Sequence, residues 1–144
     1  MKVELTGVLT VARPPAEAFA LFTARGEQRW VPGWHPRFPA ATDDDSAPGT
    51  VFETDGHGRT TTWVVVERTP GRRIRYARIV PGDTAGTVTV DLAGDDDAGH
   101  SDVTVTYELT ALTPSAIEPL RGFAARYPEM LRHWADAISA VTSS

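Results

Sequence analysis

The sequence predicts an α+β fold, a curved six-stranded antiparallel sheet covered by one long C-terminal helix, in a single domain spanning residues 1–144. Three observations carry this. Residues 2–12 alternate apolar and polar side chains, the period of a strand with one buried face. Five further alternating runs follow residue 49 and are joined by short turn sequences. After Leu112 the apolar spacing changes from two to three and four, which is helical.

The elements follow in order. In the first strand Val3, Leu5, Leu9 and Val11 share one face, while Glu4, Thr6 and Thr10 lie mostly on the other. Arg13-Pro14-Pro15 ends it, since proline cannot donate to the ladder but suits a helix start. Residues 16–22 then read as a short helix, and 25–31 as a second helical turn or two. Pro32-Gly33-Trp34-His35-Pro36 excludes regular structure, and irregular chain continues to Pro48-Gly49. The β runs cover about 50–55, 59–69, 72–80, 84–93 and 101–111. Asp55-Gly56-His57-Gly58, Pro70-Gly71 and Pro81-Gly82-Asp83 supply hairpin chemistry, and residues 94–99 make a longer polar loop. Ser115 and Glu118 have the spacing of a capping box. Leu120, Phe123, Tyr127, Leu131, Trp134, Ile138 and Val141 form one stripe, interrupted by Pro128, which is expected to kink or break the helix near residues 124–125.

Composition narrows the function classes. Hydrophobic residues are 41% and charged residues 23% of the 144, the balance of a globular chain. With no cysteine, disulfides, thiolate zinc sites and cysteine nucleophiles are excluded. A net charge of −5 gives no electrostatic footprint for nucleic acid or anionic lipid. No apolar run approaches the ~20 residues of a membrane span, and the first residues lack a signal-peptide core. A cytoplasmic location, without membrane or nucleic-acid partners, is the expectation.

The arrangement resembles the helix-grip fold of the START-related, birch-pollen-allergen-like (SRPBCC) superfamily. The opening strand, Pro14-Pro15-Ala16-Glu17-Ala18-Phe19-Ala20-Leu21-Phe22, Trp30-Val31-Pro32-Gly33-Trp34 and the terminal helix with Trp134 carry the resemblance. It covers essentially the whole chain, and the nearest look-alikes are small bacterial polyketide cyclase/dehydratase-like proteins and relatives of chaperone-ATPase activators. The resemblance implies a cavity between sheet and long helix. It implies no fixed catalytic set, because one fold hosts many chemistries.

The strand faces place that cavity. Trp63 and Val65, then Ile74, Tyr76 and Arg78, then Val88, Val90 and Leu92, then Val103, Val105, Tyr107 and Leu109 form the inward set. Phe123, Tyr127 and Trp134 of the last helix would face them. Trp30, Trp34, Trp63, Tyr76, Arg78, Tyr107, Phe123, Tyr127 and Trp134 are therefore the candidate ligand-binding residues, each with the alternative of ordinary core packing. Arg78 has an inward phase among apolar neighbours, where a guanidinium offers a fixed fork of donors to a carboxylate or enolate; lying at the strand end, reaching solvent or pairing with Glu53 are the alternatives. His35 is a candidate acid or base, but no adjacent carboxylate orients it. With Tyr76, Arg78 and Tyr107 it completes the catalytic candidates for a cyclase/dehydratase-like enzyme. His57 and His100 belong to solvated turns, and His133 should neighbour Glu129. The two Asp triplets lack the pattern of a calcium loop, and no nucleophile elbow, phosphate loop or dinucleotide motif occurs. No metal and no cofactor are expected.

Three readings follow from these residues. The first is a module binding an apolar, aromatic or polyketide-like small molecule between sheet and helix. The second is an enzyme assisting proton transfer there. The third is a protein-interaction module with a solid interior. A buried void above about 300 Å³ favours a ligand, and its absence an interaction surface. A homodimer through the sheet edge or the irregular loop is compatible with the pattern.

Overall fold

The computed structural model describes residues 1–143. Its elements are β1 (Lys2–Val11), α1 (Pro15–Ala20), β2 (Val51–Gly56), β3 (Arg59–Thr69), β4 (Arg73–Val80), β5 (Thr84–Ala93), β6 (Ser101–Ala111) and α2 (Ile117–Thr142). The strands form one antiparallel sheet in the order β1-β6-β5-β4-β3-β2. Chain neighbours pair throughout β2 to β6, while β1 reaches across to β6, with Leu5 opposite Tyr107 and Leu9 opposite Val103.

Several sequence expectations need correcting. The helix after Pro14 ends at Ala20, and residues 26–29 form a 3-10 turn, so one short α-helix follows β1 where two were expected. The capping box does not form. Ser115 lies inside a second 3-10 turn, Pro114–Ala116, and Ala116 precedes α2 without a side-chain cap. Proline at the first position of that turn takes the place of the box, because its fixed φ starts the helical path one turn early. Pro128 sits inside α2 and does not break it; the helix runs continuously for 26 residues. A bulge between Val65 and Glu67 shifts the register of β3 on β4, which leaves Val66 exposed and brings Arg68 opposite Ile74.

The inward set forms the core. Val65, Ile74, Val103 and Val105 are fully buried, and Tyr76, Val88, Val90, Leu92 and Leu109 nearly so. The opposite face is not uniformly solvated, since Thr89 is buried there. The covering layer is divided. α2 lies over β1 and β6: Tyr127 donates to the Val105 carbonyl at 2.6 Å, and Leu131 lies against Gly7. A Cβ on Gly7 would stand 2.3 Å from Leu131 Cδ1, so the missing side chain sets how closely helix and strand approach. α1 packs on β5, while the segment from Phe22 to Trp34 covers β3 and β4: Tyr76 donates to the Phe22 carbonyl at 2.7 Å, and Trp34 packs edge-on to Trp63. At the far end Arg13 reaches the Thr142 carbonyl, fastening the last turn of α2 to the end of β1.

Candidate functional site

At the open end of the molecule, beside the start of α2, lie two concavities of about 340 Å³ each, which share His57, Arg78 and Asp83 in their walls. One lies under the Val31–Trp34 segment, with Thr54 and Trp63 behind it. The other lies between the sheet, at Thr84 and Leu109, and the start of α2, at Leu120, Phe123 and Arg126. Deeper in, the structure differs from the hollow core that the strand faces imply. The interior void is about 20 Å³, lined by Phe22, Glu27, Trp63, Tyr76, Val88, Val90, Tyr107 and Trp134. Interlocked aromatic rings fill the rest: Trp30 edge-on to Phe22 and Trp134, Trp63 stacked on Phe52 and edge-on to Tyr76, and Tyr107 against Phe123 and Tyr127.

Arg78 stands at the junction of the two concavities. Strand register sets Trp63 and Gly86 on either side of it, and the guanidinium lies 5.6 Å over the Trp63 ring. Gly86 cannot carry a side chain, because its Cβ would fall 1.8 Å from the Glu108 carbonyl oxygen. Arg78 is half-buried and donates to Thr84 Oγ1 at 3.1 Å. Glu53 does not pair with it; that carboxylate faces Arg37 at 4.0 Å on the other side of β2. Among the described residues Arg78 has no carboxylate within ion-pair distance.

The remaining candidates divide into three groups. Trp34, Trp63 and Phe123 line the open end, with Trp34 Nε1 donating to the Ala24 carbonyl at 2.7 Å and Trp63 Nε1 to Thr54 Oγ1 at 3.0 Å. Tyr76, Tyr107 and Trp134 line the inner void with Trp63. Trp30 and Tyr127 reach neither. Trp30 is buried with its Nε1 on the Leu21 carbonyl, and Tyr127 faces a groove outside β1 with Gly7 and Pro128. His35 is exposed and lines none of these spaces, so the loop that carries it offers its tryptophan to the site and turns its imidazole to solvent. His57, at a left-handed turn position with φ 53°, lines both concavities although its turn is exposed.

Glu27 is the residue that the strand-and-stripe reading passes over. Glu27 stands three residues from Ala24 and three from Trp30, both buried, and is itself partly buried against the inner void. That three-residue spacing is the signal that could have found it. Burial holds the Glu27 carboxyl well above the usual carboxylate range. Burial likewise raises Tyr76 and Tyr107, so both phenols stay protonated. Among the described residues no three His, Asp or Glu side chains cluster to hold a metal ion, and no helix is long and apolar enough to cross a membrane.

Solved structures share this fold at low identity. Norcoclaurine synthase from Thalictrum flavum superposes with a TM-score of 0.70 at 12% identity, over 100% of this chain and 88% of that one. The Aha1 dimer from Colwellia psychrerythraea gives 0.63 at 14%, over 94% and 96%. DynU16, from the dynemicin biosynthetic locus, gives 0.63 at 18%; 92% of this chain is covered, and it spans only 46% of DynU16. No curated protein sequence matches the chain. These likenesses establish the helix-grip fold, and the family model described as polyketide cyclase / dehydrase and lipid transport matches residues 2–138. The chain belongs to that family.

Proposed function

We propose that this protein binds an apolar, aromatic or polyketide-like small molecule at the open end of the cleft, with Arg78 anchoring an acidic or enolic oxygen of the ligand. One observation carries the reading. A half-buried guanidinium with no carboxylate partner among the described residues stands at the junction of two concavities of about 340 Å³, walled by Trp34, Trp63, Leu109 and Phe123. That combines the size of a ligand site with one convergent charge among apolar walls. A charge removed from water without a partner is costly, and an anionic ligand offsets that cost. Asp83 shares both walls but makes no ion pair with Arg78, so the cation remains available.

Calorimetric titration with 2-naphthoate tests the anchor. Arg78→Leu is expected to weaken binding by roughly 1.5–3 kcal/mol, the worth of a hydrogen bond to a charged group, while the melting temperature holds or rises. Unchanged affinity together with a lower melting temperature would return Arg78 to the scaffold. The small interior void favours a second reading, an interaction module working through an outer face. That reading predicts no saturable 2-naphthoate binding and no co-purified small molecule in native mass spectrometry.

A further inference from the structure

Two oxygen-bearing side chains that line the inner void, one buried and one partly buried, make no side-chain hydrogen bond among the described residues. Tyr107 is 7% exposed, and its hydroxyl makes no hydrogen bond among the described residues, whereas the buried Tyr76 and Tyr127 hydroxyls each donate to a backbone carbonyl. The Glu27 carboxyl accepts from no donor and pairs with no cation among the described residues. Both line the same inner void, surrounded by Phe22, Trp63, Val88 and Trp134. Polar groups drawn partly or wholly out of water and left unbonded are costly, so a pair of them around one space calls for an occupant. About 20 Å³ accommodates one oxygen-sized group, and with the Tyr76 hydroxyl and Trp63 Nε1 already engaged, Glu27, Tyr107 and the Trp134 indole N–H are the lining groups left to bond it.

We infer that the inner void is an oxygen-binding station, in which Glu27 and Tyr107 both donate hydrogen bonds to a carbonyl oxygen at the leading end of the ligand. The inference rests on the cleft-binding reading above and adds the ligand's second polar group. A carbonyl oxygen accepts two hydrogen bonds and donates none, which matches a protonated carboxyl beside a phenol. Desolvation raises the Glu27 carboxyl above the usual carboxylate range, which favours that protonated form. Trp63 walls both the void and one concavity, and Tyr107 packs against Phe123, which walls the other, at 5.4 Å. A flat ligand displacing these rings would reach from Arg78 at the open end to Glu27 at the closed one. The ligand class is therefore an aromatic or polyketide-like acid with a ketone at its opposite end.

A matched pair of probes, 6-acetyl-2-naphthoate and 6-isopropyl-2-naphthoate, tests this; they share shape and carboxylate and differ in the ketone oxygen. The wild-type chain is expected to prefer the ketone by about 10-fold or more, the ratio that one good hydrogen bond supplies. Glu27→Leu and Tyr107→Phe should each erode that preference and leave affinity for the isopropyl probe within about twofold. Glu27→Gln, which can still donate, should keep most of it. The carbonyl stretch of the bound acetyl probe should move to lower frequency in wild type and less in Tyr107→Phe. Equal binding of the two probes by wild type overturns the station alone and points to a resident water in the void. A preference that survives both Glu27→Leu and Tyr107→Phe also overturns it. Failure of both probes to bind overturns the cleft-binding reading, and the station with it.

Discussion

Glu27 couples the interior to pH. In the unfolded chain its carboxyl ionises near the ordinary value of about 4.3, while in the folded chain burial among aromatic rings holds the proton to higher pH. The unfolded state therefore binds fewer protons than the folded one across that window. The contribution is fully present below the unfolded value and is lost as pH rises through the raised folded value. Tyr76 and Tyr107, which face the same void, are neutral throughout this range and add no opposing term. Glu27→Gln removes the titration, so its melting temperature should exceed wild type at pH 7–8 and the difference should shrink toward pH 4. Parallel thermal melts of the two proteins check this, and superimposable pH profiles would mean that the carboxyl is ionised or solvated in the fold.

At the scale of elements, two close approaches depend on missing side chains, and they differ in what must yield. A methyl on Gly7 meets the end of Leu131, which can change rotamer, whereas a methyl on Gly86 meets the backbone of β6. Gly86→Ala should therefore cost at least the roughly 1–3 kcal/mol typical of overpacking, and Gly7→Ala distinctly less, as read from denaturant melts. Equal losses would show that α2 cannot adjust over β1. The same elements show what the sequence makes legible. β5 and β6 read correctly because Val88, Val90 and Leu92, and Val103, Val105 and Tyr107, alternate with Thr and Asp over a full strand. The bulge at Val65–Glu67 left no mark, since Val64, Val65 and Val66 suit either phase. Ser115 and Glu118 matched a cap by spacing, yet Pro114 started a tighter turn. The placement of the candidate residues was legible where strand phase decided it, as at Trp63, Arg78 and Tyr107. For Glu27 its three-residue spacing from Ala24 and Trp30 was the one mark, and for His35 there was none, since its loop orientation follows from where Trp34 docks.

Across the whole molecule, the strand order β1-β6-β5-β4-β3-β2 has a temporal meaning. Every pairing from β2 to β6 joins strands adjacent in the chain, so each closes a short loop at small entropic cost. The β1–β6 pairing brings Lys2 to Thr110, and α2 can dock only after that end of the sheet exists. The hairpin meander is thus expected to assemble first, and β1 to join after the rate-limiting barrier. Val88→Ala, in the middle of the meander, should slow refolding. Val11→Ala, equally buried but on β1, should chiefly accelerate unfolding and change the refolding rate by less than about twofold. Stopped-flow chevrons of the two variants separate these effects, and a Val11→Ala refolding limb slowed as much as that of Val88→Ala would place β1 in the nucleus. A strand that joins last is also the one that leaves first. With Arg13 holding α2 to its end, detachment of β1 would carry the C-terminal turn away and open the cleft from its rear, a route to the interior independent of the aromatic rings at its mouth.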